Sequence, residues 1–199
     1  LKASADATLA DVITKNTNYN NKVNERITAF SGLKSLSTRL VNALQTTDAT
    51  TETIGNAKTF NRKMQGKKAS SSQTPTDPNT PAPNTISTSQ QSYDQLIQHL
   101  AGLTSILEAE TSYTPNETDL QVATLQTKIA DLTAKNTAVA TAYASISNSR
   151  IARNETLYSS STGLVETANE VKKYIKSVFG ASSPQFAQVK GIQFKIIKN

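Results

Sequence analysis

The strongest constraint on this chain is a row of side chains spaced alternately three and four apart. It runs through Leu125, Ile129, Leu132, Asn136, Val139, Tyr143, Ile146, Arg150, Arg153, Leu157, Leu164, Ala168, Val171, Ile175 and Val178. A mean period of about 3.5 residues is the mark of a long helix lying at a shallow angle along partner helices. Asn136, Arg150 and Arg153 interrupt the apolar row, and the two arginines can lay their stems along it with their charges in water. Thr114, Pro115, Asn116 and Glu117 read as the start of this helix: Thr114 caps, Pro115 takes the first helical position and Glu117 closes a capping box. The row holds its phase across residues 159–163, so the expectation is one continuous helix ending at Gly180.

Proline divides the rest of the chain. Pro75, Pro78, Pro81 and Pro83 lie within residues 66–84, which hold no large apolar residue and read as a Pro/Ser/Thr-rich linker. Elsewhere proline occurs only at Pro115 and Pro184. After the linker, Tyr93, Leu96, Ile97, Leu100, Leu103, Ile106 and Leu107 fall on one helical face, entered through a capping box at residues 87–90. The short connection at residues 111–115 favours packing this helix antiparallel to the long one. Before the linker, Leu9, Val12, Ile13, Val23, Ile27, Phe30, Leu33, Leu36, Leu40 and Leu44 make a second long helix, with a break admitted at Ser31 and Gly32. A shorter helix bears Ile54, Ala57, Phe60 and Met64. Set end to end with the Tyr93 helix, it roughly matches the first long helix in length. Past Gly180, Val189, Ile192, Phe194 and Ile196 alternate with Lys190, Gln193 and Lys195, the pattern of an extended segment.

These patterns predict an all-α fold: an elongated antiparallel three- to four-helix bundle with long coiled-coil-like helices and an extended C-terminal tail. The divisions are an N-terminal helical hairpin (1–65), the linker (66–84), a long-helix hairpin packing with the first part as one bundle (85–180), and an extended basic tail (181–199). Composition agrees. Only 36% of the 199 residues are hydrophobic and 18% charged, with Ser, Thr, Asn and Gln filling the difference, which suits a narrow buried seam. No stretch approaches the ~20 apolar residues of a membrane span, so the chain reads as soluble and without a transmembrane segment. Leu1 opens the sequence with no signal-like segment, and compartment is left open.

Catalytic signatures are mostly excluded by residue type. There is no cysteine, hence no thiolate chemistry or disulfide. His99 is the one histidine, so a two-histidine zinc site cannot be built within a chain. The residue three before it is Leu96, which rules out a Glu-x-x-His di-metal motif, and His99 reads as a bundle-flank side chain. Glu108, Glu110, Glu117 and Asp119 gather near one connection without a calcium-loop pattern, and the last two suit a helix's first turn. Gly66 and Lys67 lack the rest of a phosphate loop. Asn116 and Asn154 match the glycosylation acceptor but fall inside the predicted long helix. The expectation is no enzyme, no cofactor and no metal.

Charge is more informative, because it is uneven. The net formal charge is +6, and residues 171–199 carry Lys172, Lys173, Lys176, Lys190, Lys195 and Lys198 with no acid. Lys58, Arg62, Lys63, Lys67 and Lys68 form a second acid-free group. Lys58, Arg62, Lys63, Lys172, Lys173 and Lys176 are therefore the candidate anion-binding residues, with Tyr174, Phe179, Phe186 and Phe194 as stacking candidates. The plainer reading makes Lys172, Lys173 and Lys176 the solvated face of a helix whose Val171, Ile175 and Val178 are buried. Membrane-surface adsorption ranks lowest, since the bundle already claims the apolar face.

Residues 113–125, with Ala134-Lys-Asn-Thr-Ala-Val, Ser147-Asn-Ser-Arg-Ile-Ala-Arg-Asn154 and residues 171–185, resemble a family of uncharacterised, helix-rich proteins of Bacteroidota bacteria over most of the chain. The resemblance implies a bacterial origin and carries no functional residue. The sequence thus points to a non-enzymatic structural or protein-interaction module, self-association included, with an unknown protein partner. A nucleic-acid or anionic-surface binder using the basic C-terminal region is the alternative.

Overall fold

The computed structural model describes residues 1–66 and 91–196. The described residues are all-helical, with no strand among them. In chain order the α-helices are α1 (Lys2–Phe30), α2 (Leu33–Leu44), α3 (Thr51–Gln65), α4 (Tyr93–Ala109), α5 (Val122–Tyr158), α6 (Leu164–Phe179) and α7 (Pro184–Lys190), with a 3-10 turn at Thr118–Leu120 before α5. The linker at 66–84, apart from Gly66, and the capping box at 87–90 lie outside the described residues. The chain forms two compact units. A central unit comprises Val23–Ala138, and a terminal unit joins Leu1–Lys22 to Val139–Asn199.

In the central unit the local signals explain most boundaries. Gly32 takes a left-handed φ of 79°, open to glycine at little cost, and separates α1 from α2 at the break the sequence admits. Thr50 caps α3 by accepting the Thr53 N–H, and Ser92 caps α4 by accepting the Gln95 N–H. The fully buried side chains of α2, α3 and α4 meet there, among them Leu40, Leu44, Met64, Leu100 and Leu103, together with Leu125 and Leu132 from α5. Hydrogen bonds tie α2 to α3: the Ser37 hydroxyl donates to Asn61 Oδ1 at 2.8 Å, and Gln65 Nε2 donates to the Lys34 carbonyl at 2.7 Å.

Helices α3 and α4 do not lie end to end as their lengths suggested. They pack side by side and antiparallel, with Gln91 donating to the Lys63 carbonyl and Phe60 lying against Gly102 and His99. The reason is burial: the apolar faces of both helices need cover, and side-by-side packing covers both at once.

Asn136, the polar interruption of the row, has a specific use. Its Nδ2 donates to Asp94 Oδ1 at 2.7 Å, and its Oδ1 accepts from Arg26 Nη1 at 3.0 Å. The Arg26 guanidinium stacks over the Tyr93 ring at 4.0 Å, and Lys135 pairs with Glu25 at 3.2 Å. One amide thus links α1, α4 and α5. A polar residue in an apolar seam fixes helix register in this way, because a slipped pairing leaves its groups unsatisfied.

The expected start of the long helix is corrected. Residues 114–117 are not helical, and α5 begins at Val122. Tyr113 is buried and its hydroxyl donates to the Leu120 carbonyl at 3.0 Å, closing residues 113–120 into a loop that carries Leu120 into the core. Burial of this side chain outweighs the capping signal. Burial, with Asp119 and Glu117 nearby, pushes the Tyr113 phenol up to about 12.

In the terminal unit α1 and α5 run antiparallel: Ser149 Oγ donates to Asp11 Oδ2 at 2.6 Å, and the Tyr19 and Tyr143 rings are 5.9 Å apart. The buried positions on these two helices are Ala5, Val139, Ala142, Ile146 and Ser149. The row is therefore rotated slightly from the sequence reading, with Ala142 and Ser149 inside where Tyr143 and Arg150 were expected. Small side chains let helices approach closely, and the larger neighbours are displaced to the flank.

The long helix is not continuous to Gly180. It ends at Tyr158, and α6 starts at Leu164. Ser, Thr and Gly are poor helix formers, and here Thr162 Oγ1 bonds Ser159 Oγ while the Gly163 N–H donates to the Ser159 carbonyl at 3.0 Å. A Cβ at the buried Gly163 would lie 2.5 Å from that carbonyl oxygen, so the turn closes only around glycine. The tail is not simply extended either. Residues 184–190 form α7, because Ser183 accepts the Phe186 N–H and Pro184 stands at the first helical position. Residues 192–196 carry no regular structure.

Candidate anion-binding and interaction surfaces

The candidate basic residues fall into two groups, one in each unit. In the central unit, Lys58, Arg62 and Lys63 occupy the later turns of α3. Arg62 Nη2 donates to Thr59 Oγ1, and Lys63 Nζ lies 5.6 Å from the Phe60 ring centre. Arg62 and Lys63 also complement the negative end of the helix dipole, which is sufficient reason for them. Lys67 and Lys68 lie outside the described residues.

In the terminal unit the structure gathers Lys172, Lys173 and Lys176 around a groove of about 330 Å³, completed by Glu166, Asn169 and Phe186. Spacing on α6 places Glu166, Asn169 and Lys173 along one side, and α7 supplies Phe186. Lys172 Nζ donates to the Ile192 carbonyl at 2.6 Å, and Lys176 Nζ lies 5.9 Å from the Phe186 ring centre. None of the three lysines makes an ion pair with a carboxylate among the described residues. Sequence reasoning missed Asn169 and Glu166. It named Phe186 without placing it, because the Ser183-Pro184 helix start went unread.

The expected burial of Val171 and Val178 is corrected. Both are about half exposed, as are Tyr174 and Phe179, and α6 has no buried residue. Lys172, Lys173 and Lys176 do occupy the polar side of α6, but the opposite side is left open. Of the large hydrophobic residues exposed in the described structure, Ile27 alone belongs to the central unit; Leu9, Ile13, Tyr143 and Ile151 join the α6 residues in the terminal one.

Three of the acidic residues at the α4 to α5 connection are occupied individually. Glu110 accepts from the Ser112 hydroxyl and backbone N–H, and those bonds hold its carboxyl below the usual range. Glu108 accepts from Gln126, and Asp119 forms a two-point pair with Arg39 whose hydrogen bonds lower the Asp119 pKa and raise that of Arg39. Glu117 lines an open hollow of about 380 Å³ with Thr46, Asp48 and Tyr113. Among the described residues no cluster of His, Asp and Glu has metal-binding geometry, and no helix is long and apolar enough to cross a membrane.

His99 is buried in the central unit rather than on a flank. Its Nε2 has no hydrogen-bond partner, and neither does the buried Oε1 of Gln95 one turn earlier. Burial, and secondarily Lys63, lowers the His99 pKa from 6.5. The unfolded chain takes up a proton near that ordinary value while the folded chain resists it. Stability is therefore greatest above 6.5 and is lost as pH falls toward the lower folded value. Urea midpoints are expected to drop between about pH 7 and about pH 5, and His99→Leu is expected to flatten that slope. An identical slope in the variant would sink the assignment to His99.

Comparison with family models, curated proteins and solved structures finds no match for this chain.

Proposed function

We propose that this chain is a non-enzymatic protein-interaction module, a bundle of coiled-coil-like antiparallel helices that self-associates through its terminal unit. The observation that carries this reading is the distribution of exposed apolar side chains. Apart from Ile27, the central unit keeps its large hydrophobic residues buried or half-buried, whereas the terminal unit buries mainly small ones and leaves Leu9, Ile13, Tyr143 and Ile151 in solvent. Large apolar side chains clustered at a surface mark interaction sites. A second copy suits the α1 and α5 part of this unit, because charge there is of mixed sign, with Lys2, Lys15, Lys22, Arg150 and Arg153 interspersed with Asp6, Asp11 and Glu155, unlike the residues from 171 onward, which carry no acid. The exact seven-residue spacing of Leu125, Leu132, Val139 and Ile146, all buried, supports the coiled-coil-like character. A bacterial origin is part of the same proposal and rests on the sequence resemblance.

Sedimentation equilibrium over a micromolar concentration series tests it. The expected result is a concentration-dependent rise in mass that Ile13→Ser with Ile151→Ser abolishes, with the helical spectrum unchanged. A monomer at every concentration would remove the self-association. The groove of Lys172, Lys173, Lys176, Asn169 and Phe186 favours a second reading, binding of an anionic surface or nucleic acid through the basic C-terminal region.

A further inference from the structure

Helix α6 is strongly two-sided, and only one side is covered. Val171, Tyr174 and Val178, at spacings of three and four, share a face and are each more than half exposed. Helix α7 packs on the lysine side instead, where Lys176 lies over Phe186 and Lys172 reaches the Ile192 carbonyl. Beyond α7, Ile192, Phe194 and Ile196 are exposed on a segment without regular structure. From Val171 onward these apolar residues are interleaved with Lys172, Lys173, Lys176, Lys190 and Lys195 and with no acid.

We propose that the uncovered face of α6, with the Ile192 to Ile196 segment, docks on an anionic lipid bilayer, α6 lying in the plane of the interface. The objection to membrane adsorption at the level of sequence was that the bundle claims the apolar face; the structure removes it. Charge selects the occupant. From α6 to the C-terminus six lysines stand against two acids, Glu166 and Glu170, so a second copy placed here would bring two net-positive segments together, whereas an anionic bilayer attracts each. Nucleic acid matches the lysines but offers no apolar phase for Val171, Val178 and Ile192. A bilayer interface also takes up apolar groups presented by a helix and by an irregular segment alike, and accommodates Tyr174 and the exposed Phe194 at headgroup depth. No described helix can span the membrane, which leaves a surface-lying mode. The inference rests on reading the terminal unit as an interaction surface, but it uses residues other than those assigned to self-association.

The test is cosedimentation of the full chain with vesicles of phosphatidylcholine alone and of phosphatidylcholine with phosphatidylglycerol, at low and physiological salt. Binding is expected to the anionic vesicles, weaker at higher salt. Val171→Ser with Val178→Ser is expected to reduce it by about tenfold or more, and Lys173→Glu with Lys190→Glu to reduce it as well. All four positions are exposed, so circular dichroism should be unchanged. Absence of binding to anionic vesicles at low salt overturns the proposal, as does equal binding to both compositions. Binding insensitive to the valine pair also overturns it, since attraction is then purely electrostatic. If the valine pair instead dissociates an oligomer and vesicles play no part, the occupant is a second copy. Self-association measured on the same variants separates the two proposals: it should survive the α6 changes and vanish with Ile13→Ser and Ile151→Ser.

Discussion

Leu132→Ala is expected to destabilise the protein by about 2–5 kcal/mol, and Ile146→Ala by a similar amount. Both side chains are essentially inaccessible, Leu132 in the central unit and Ile146 in the terminal one. The loss combines the transfer of the removed carbons with the cavity that close-packed neighbours fail to fill. Thr127→Ala, on the exposed side of α5, is expected to stay within about 0.5 kcal/mol. Urea denaturation with an unchanged slope is the measurement. If Leu132→Ala and Thr127→Ala cost the same, the buried row of α5 is wrongly assigned. Ile146 carries a second meaning, because it is the largest side chain among the buried positions of the terminal unit. Its removal should weaken that unit more than any change at the half-exposed residues of α6.

Gly102→Val is expected to destabilise the central unit by about 1–3 kcal/mol, although glycine in a helix interior is ordinarily a liability. A Cβ at Gly102 would lie 2.5 Å from two carbons of the Phe60 ring, on the facing helix α3. Replacing a helical glycine gains at most about 1 kcal/mol from propensity, and less for a β-branched residue. Overpacking of a close helix contact therefore wins. Phe60→Leu shortens the obstructing side chain, so the double variant should recover part of the loss, with a coupling of about 1 kcal/mol in a double-mutant cycle. A Gly102→Val protein as stable as the parent would show that the contact between α3 and α4 yields freely. The glycine would then be unrelated to the packing of Phe60 and His99.

The elements themselves were largely legible. The all-helical class followed from the three-and-four spacing and from the confinement of proline, and the buried Leu125, Leu132, Val139 and Ile146 lie in the row the sequence displays. The break at Gly32 was legible because glycine's tolerance of positive φ is a local property. Asn136 was recognisable as an interruption, but not as the link between Arg26 and Asp94, since those partners are distant in sequence.

Tertiary structure decided what local signals leave degenerate. A capping box at residues 114–117 is a sound helix start in isolation; burial of Tyr113 and Leu120 turned those residues into a loop. Phase alone carried the long helix past residues 159–163, but a phase can persist by chance across a turn that Gly163 closes. The same limit applies to the candidate surfaces. Amphipathic spacing told which side of α6 is apolar, and only the position of α7, on the lysine side, decided that Val171, Tyr174 and Val178 are left in water while Lys172, Lys173 and Lys176 are drawn into one groove. Periodicity records which residues prefer burial. Whether a partner arrives to bury them depends on contacts far apart in sequence, and those are settled by the fold as a whole.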